Sequence, residues 1–118
     1  MDSSKMVEII TAAMEDRKSK NVEVINVTEA TIVTDYFVIA SGTSTTHLRG
    51  IADEVIEKME QAGINAAHLE GYETAQWICI DFTDVVVHIF LQSEREFYNI
   101  ERLWRTGGTY NKKEEKNG

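Results

Sequence analysis

Two short apolar segments separated by only two residues constrain this chain more than any other feature of its sequence. The segments are WICIDF (77–82) and VVVHIFL (85–91), with Thr83-Asp84 between them. Both segments are rich in the β-branched and aromatic residues that favour strands, and a two-residue connection is typical of a β-hairpin. The sequence therefore predicts a pair of adjacent antiparallel strands near the C-terminal end of the fold.

The hairpin assigns each side chain to one of two faces, because side chains alternate along a strand. If Phe82 lies opposite Val85, the first face is wholly apolar and is predicted to face the core: Ile78, Ile80, Phe82, Val85, Val87, Ile89 and Leu91. The second face mixes aromatic and polar side chains, and its predicted cross-strand pairs are Trp77 with Phe90, Cys79 with His88, and Asp81 with Val86. Composition leaves open whether a helix covers this second face or part of it awaits a partner.

The remaining segments predict helices and three further strands. Apolar residues recur at helical spacing over residues 3–20 and 44–62, which indicates two amphipathic helices. Ser3 or Ser4 is the expected N-cap of the first helix, and Gly63 is placed to end the second. Strands are predicted over 22–27, 35–41 and 66–69, and the run at 35–41 is apolar enough to be covered on both faces.

A last helix is predicted after the hairpin. The segment SERE (93–96) fits a capping box with Ser93 as N-cap, and Gly107-Gly108 is placed to end the helix. The order is then αββαβββα. We expect a single α/β domain over residues 1–108, built on a mixed sheet of about five strands with flanking helices, and a polar, disordered tail over 109–118.

Charge is unevenly distributed along the chain. Its 20 acidic and 12 basic residues give a net charge of −8, and residues 51–101 alone hold 11 acids and 2 bases. Because phosphate contacts dominate affinity for nucleic acids, this acidic middle argues against sequence-specific binding to nucleic acid. An acidic surface suits a basic partner, or serves only solubility.

The sequence indicates a cytoplasmic location. Its acidic N-terminus is unlike a signal peptide, and its longest apolar runs are too short to cross a membrane. Cys79 is the only cysteine, which excludes an internal disulfide. We expect a protein of the cytoplasm that makes no contact with a membrane.

No catalytic or metal-binding pattern stands out. The turn at Gly42-Thr43-Ser44 between a strand and a helix is a weak candidate for cradling phosphate, since it lacks the glycine-rich phosphate motifs. A nucleophilic pair of Cys79 and His88 would also need an orienting group and an oxyanion site, and neither is visible. The histidines share no zinc-ligand spacing with Cys79. We therefore expect no enzymatic activity, no metal and no cofactor.

Three longer motifs, in order along the chain, are more specific: TDYFVIASGTSTTHLRGIADEV (34–55), LEGYETAQWICIDFTDVVVHIF (69–90) and REFYNIERLW (95–104). Over about residues 5–105 the chain closely resembles the ribosomal silencing factor family, also called RsfS or Iojap, of bacteria and organelles. One departure is Thr83, where the family usually has glycine. Since glycine tolerates a positive φ and threonine does not, this departure weakens the prediction of a two-residue turn.

The resemblance implies a fold related to nucleotidyltransferases but without their catalytic carboxylates. It also implies that the chain binds the large ribosomal subunit through the basic ribosomal protein uL14. Bound there, it would sterically block the joining of the small subunit and so repress translation under nutrient limitation. Carried over by motif, the partner-binding surface comprises Trp77, Glu70, Gly71, Asp81, Asp84, His88, Tyr98 and Trp104. The hairpin register supports this set, because it places Trp77, Asp81 and His88 on one face.

Two other functions remain open at this point. The same docking surface would serve an assembly factor of the large subunit, and the turn at 42–44 would serve a nucleotide-binding, transferase-like enzyme. An exposed apolar strand face would also allow the free protein to form a homodimer.

Overall fold

The predicted order αββαβββα is confirmed in the computed structural model, which describes the backbone of residues 1–98 and the side chains of residues 1–95. The elements are α1 (Ser3–Asp16), β1 (Lys20–Asn26), β2 (Tyr36–Gly42), α2 (Thr45–Gln61), β3 (His68–Glu70), β4 (Trp77–Asp81), β5 (Val85–Leu91) and α3 (Gln92–Tyr98). The predicted end of the last helix at 107–108 and the predicted tail at 109–118 lie outside the described residues.

The five strands form one mixed sheet in the order β1-β2-β5-β4-β3. The central strand, β5, runs parallel to β2, and the other neighbouring pairs are antiparallel. Six of the seven residues of β2 are buried, which confirms the prediction that this strand is covered on both faces. The parallel pairing joins strands far apart in sequence, with α2 in the connection between them.

Helices α1 and α2 pack on the first face of the sheet and close the main core there. This core includes the first-face residues Ile78, Ile80, Val87 and Ile89 together with apolar side chains of both helices: Met6, Ile10, Met14, Leu48, Ile51, Val55 and Met59. The face that the hairpin register assigned to the core is therefore the one that the helices cover.

The ends of the helices differ in part from the prediction. The N-cap of α1 is Asp2, whose carboxylate accepts from the Lys5 N–H at 2.9 Å, so the expectation of Ser3 or Ser4 was wrong. Helix α3 begins at Gln92, which places Ser93 inside its first turn instead of at its N-cap. The predicted role of Gly63 is confirmed, because it follows α2 with a φ of +85° and donates to the carbonyl of Glu60 at 2.9 Å.

The hairpin turn forms with two residues although it lacks glycine. The Phe82 N–H donates to the carbonyl of Val85 at 2.9 Å, and Thr83 has a φ of +76°. The Asp81 carboxylate accepts from the Thr83 N–H at 2.7 Å and so supports the turn. The departure at Thr83 therefore leaves the turn length unchanged and places a β-branched residue in a backbone region that costs about 1–2 kcal/mol.

Candidate partner-docking surface

The second face of the sheet brings together four of the eight residues predicted to bind a partner: Trp77, Glu70, Asp81 and His88. All three predicted cross-strand pairs are present: Trp77 with Phe90, Cys79 with His88, and Asp81 with Val86. On the β3 side, Glu70 lies opposite Cys79 and so joins the same face. On the β2 side, Phe37 and Ile39 pair with Val86 and His88. The strand pairing therefore continues without a register shift from β3 through β4 and β5 to β2.

Trp77 is the large aromatic residue at one end of this face, and among the described residues Phe90 and His88 hold its ring. It stacks on Phe90, with ring centroids 5.0 Å apart and planes inclined by 27°. Its indole N–H donates to Nδ1 of His88 at 3.1 Å. Trp77 remains half-buried, so a ring with a fixed orientation keeps part of its surface available for contact.

His88 is the buried support of this arrangement. It is 5% exposed, and burial lowers the pKa of its imidazole to about 4, so the ring is neutral near pH 7. Because Nδ1 accepts from Trp77, the ring hydrogen is on Nε2, and within the described part of the chain this buried atom has no hydrogen-bond partner. Phe37 packs against this ring in a T-shaped arrangement, with centroids 4.8 Å apart.

Gly71 allows the loop before β4 to approach Trp77 closely. It has a φ of +78°, and a Cβ atom added there would lie 2.1 Å from the carbonyl oxygen of Trp77. Its own carbonyl accepts from the Ala75 N–H at 2.9 Å. Gly71 is therefore required by backbone geometry beside Trp77, whatever surface it also presents.

An arginine clamp on the same loop was not found from the sequence. Arg49 on α2 donates through Nε to the carbonyl of Tyr72 at 3.0 Å and through Nη2 to the carbonyl of Glu73. The Tyr72 hydroxyl in turn donates to Asp53 at 2.9 Å. The sequence feature that could have indicated this clamp is the four-residue spacing of Arg49 and Asp53, which places both on one side of the helix. The clamp fixes the loop that leads into Trp77.

Carboxylates share the second face with Trp77 and also lie at its edge. Burial, followed by the charges of Asp81 and Glu70, raises the pKa of the Cys79 thiol to about 11. Asp84 lies in the exposed hairpin turn, at the opposite end of β5 from Trp77. The half-buried face between Trp77 and the hairpin turn therefore carries the negative charge of these carboxylates. A protonated Cys79 beside a neutral His88 also lacks the thiolate that nucleophilic catalysis requires.

Helix α3 reaches the second face through Arg95, another residue that the sequence analysis missed. Arg95 is buried and donates to the Ser41 hydroxyl at 3.0 Å, to a Glu23 carboxylate oxygen at 3.2 Å and to the carbonyl of Asn21. The sequence feature that could have singled out Arg95 is that it is one of only two basic residues in the acidic segment 51–101. The second face is thus neither wholly covered nor wholly open. Tyr98 lies in α3 with its side chain outside the described residues, and all of Trp104 lies outside them.

Hydrogen bonds to His47 tie the turn at 42–44 into the chain. The Thr43 N–H donates to Nδ1 of His47 at 3.0 Å, and the His47 N–H donates to the Ser44 hydroxyl at 3.1 Å. Nε2 of His47 then donates to the carbonyl of Arg17 at 2.7 Å, which ties the turn to the end of α1. A phosphate would have to displace these bonds, so the turn is built as a helix cap.

Residues 1–98 contain no helix that is long and apolar enough to span a membrane. The same part of the chain shows no group of three or more histidine, cysteine or acidic side chains placed to hold a metal ion.

Comparisons with known proteins agree with one another. A family model described as "Ribosomal silencing factor during starvation" matches residues 1–117. The ribosomal silencing factor RsfS of Halalkalibacterium halodurans is 36% identical over 104 residues, covering 88% of this chain and 89% of that one. "Mitochondrial assembly of ribosomal large subunit protein 1" of Mus musculus is 31% identical over 101 residues, or 83% of this chain and 44% of that one. The crystal structure of a Chromobacterium violaceum protein superposes with a TM-score of 0.87 at 30% identity, covering 94% of this chain and 90% of that one.

Proposed function

The chain belongs to the family of ribosomal silencing factors, and we propose that it docks on the large ribosomal subunit through the basic ribosomal protein uL14. The observation that carries this proposal is the fixed Trp77 ring on the same sheet face as the carboxylates of Glu70 and Asp81. A relative named for ribosomal silencing and one named for large-subunit assembly support a ribosomal partner.

The aromatic residue supplies the affinity in this proposal. A tryptophan at the centre of an interface typically contributes about 2 kcal/mol or more. Because Phe90 and His88 already hold the ring, binding loses little side-chain entropy. The half-buried second face around Trp77 is the contact area.

The carboxylates supply orientation and rate. A net charge of −8 attracts a basic protein from a distance, and acids on the same face as the aromatic contact favour the approach that brings Trp77 to its target. Glu70 and Asp81 are placed for this on the second face, and Asp84 at its end.

We propose obstruction as the mechanism. A domain with a radius of gyration of 13.8 Å, seated on uL14, would occupy space that the small subunit needs and so repress translation in the cytoplasm when nutrients are scarce. No bond is made or broken, and no cofactor is needed. The protonated Cys79, and the bonds that already engage the Thr43 N–H and the Ser44 hydroxyl, favour this proposal over a transferase-like enzyme.

A role in assembly of the large subunit is the second candidate. The name of the mouse relative favours it, although this chain spans less than half of that protein. The same docking surface would serve both roles. Reconstituted translation with mature subunits separates them, because only a silencing factor inhibits subunits that are already assembled.

The direct test is a subunit-joining assay. Purified large and small subunits are mixed with an excess of the chain, and joined ribosomes are measured by light scattering. We expect fewer joined ribosomes, and co-sedimentation of the chain with the large subunit alone. Failure of the chain to pellet with the large subunit would contradict the proposal. Sedimentation velocity on the free protein tests the predicted homodimer.

A further inference from the structure

Two apolar side chains project from the connection between β1 and β2. Ile32 is fully exposed and Val33 is 76% exposed. Among the described residues they are the most exposed large apolar side chains. Adjacent exposed apolar side chains on a soluble domain often mark a contact with another molecule.

The loop that carries these side chains is fixed by its own hydrogen bonds. The Asn26 side chain accepts from the N–H of Thr28 at 2.9 Å, and the Thr31 N–H donates to the carbonyl of Val27 at 3.0 Å. The Val33 N–H donates to the Thr31 hydroxyl at 3.0 Å. The backbone that carries the exposed pair is therefore held in place before binding, which lowers the entropic cost of ordering the loop.

The loop is continuous with the second face. Val27 is buried in the same apolar cluster as Phe37 and Phe90, and both Ala30 and Trp77 pack against that cluster. The four steps along β5 from Val86 to Phe90 span about 13 Å at the rise of a strand. A standard interface covers about 800 Å² on each partner, roughly 30 Å across, so one partner can contact both ends of this face.

The surroundings of the pair are acidic. The Asp35 N–H donates to the carbonyl of Asp84 at 2.9 Å, which joins the loop to the hairpin turn. Glu29 and Asp84 are exposed beside it, and no lysine or arginine occurs between residues 21 and 48. An apolar tip among carboxylates matches a basic protein surface that also offers apolar contact, the same chemistry that the Trp77 end requires.

We propose that Ile32 and Val33 form a second anchor of the docking surface and contact the same basic ribosomal protein as Trp77. This inference rests on the proposed function. Trp77 and the Ile32–Val33 tip then bind at opposite ends of the second face, and the carboxylates between them orient the approach. The anchor is apolar, so its loss weakens binding without changing the dependence of affinity on salt.

The test is the double variant Ile32→Ala/Val33→Ala, titrated against purified large subunits at several salt concentrations. Val24→Ala is the matched control, because Val24 is also β-branched and is 44% exposed. It lies on the edge strand β1 and pairs with the first-face residue Val38 of β2, away from the second face. We expect the Kd of the double variant to rise about tenfold with an unchanged salt slope. The control is expected to bind as the wild type does, and thermal melting checks that all three proteins are equally folded.

Each other outcome is decisive. If the wild type binds the large subunit and the double variant binds equally well, the second anchor is wrong and the proposed function survives. If the double variant binds equally well and also loses a dimer that the wild type forms in sedimentation velocity, the tip is a contact between two copies, which again overturns the inference. If the wild type does not bind, the proposed function fails, and the inference fails with it.

Discussion

The indole N–H of Trp77 donates to Nδ1 of His88, a buried histidine on the neighbouring strand, at 3.1 Å. The two residues lie on adjacent strands of one hairpin, and the ring of Phe90 stacks on the ring of Trp77. This relationship connects the buried interior of the sheet to the surface that we propose for docking. It also makes the orientation of Trp77 sensitive to the protonation of His88.

Trp77→Ala is expected to weaken binding to the large subunit by about 2 kcal/mol or more, or roughly 30-fold in Kd. Trp77→Phe is the matched control, because it keeps an aromatic ring beside Phe90 and removes the N–H donor. It should fall between the wild type and the alanine variant. Co-sedimentation measures all three proteins, and a folded alanine variant that pellets as well as the wild type would show that Trp77 is not an anchor.

Stability should fall as the pH is lowered from about 6.5 to about 4. Burial holds the pKa of His88 at about 4 in the folded protein, against about 6.5 when unfolded, so the unfolded chain binds the proton first. The free energy of unfolding should drop by on the order of 3 kcal/mol across this window and then level off for this group.

Urea denaturation at several pH values measures this dependence. His88→Phe is the control, because it removes the titrating group. The free energy of unfolding of this variant should change much less between pH 6.5 and 4. An equally steep curve in that variant would assign the pH dependence to other groups.

Gly71→Ala should destabilise the fold severely. The new Cβ would lie 2.1 Å from the Trp77 carbonyl oxygen. The loop backbone would also hold the alanine at a φ of +78°. Gly63→Ala is the matched control, since Gly63 also has a positive φ, of +85°, but nothing lies within 4 Å of its Cβ position. The control should cost only about 1–2 kcal/mol. Equal melting temperatures for the two variants would mean that the close approach at Gly71 is relieved without cost.

Glu70→Gln should reduce the salt dependence of the association rate with the large subunit. Glu57→Gln makes the same change in net charge on the exposed side of α2, away from the second face. If charge near Trp77 steers the encounter, only Glu70→Gln lowers the rate at low salt. Stopped-flow mixing measures both rates, and equal effects would indicate that net charge alone matters.

The hairpin shows how much local sequence can predict. Strand bounds, cross-strand pairs and the division into two faces follow from an alternation of side chains with period two, and that alternation is fixed by neighbours along the chain. The same reasoning places α1 and α2, since helical periodicity is also local. The docking face could therefore be drawn before any long-range contact was known.

Contacts between distant residues could not be predicted in this way. Arg49 binds carbonyls more than 20 residues further along, and Arg95 reaches Asn21 and Glu23 more than 70 residues earlier. A surface arginine and a buried one look alike in a sequence. Only the folded arrangement decides which of them has carbonyl and carboxylate partners within reach.

The sequence by itself determined the alternating hairpin, the helical stripes, the acidic charge and the motifs of the family, because each depends on residue type and spacing along the chain. Tertiary structure decided the strand order β1-β2-β5-β4-β3, the bond from Trp77 to His88 and the loop clamped beside Gly71. These features depend on which segments meet when the chain closes around its core. That choice is made by packing and hydrogen bonding among residues that the sequence keeps far apart.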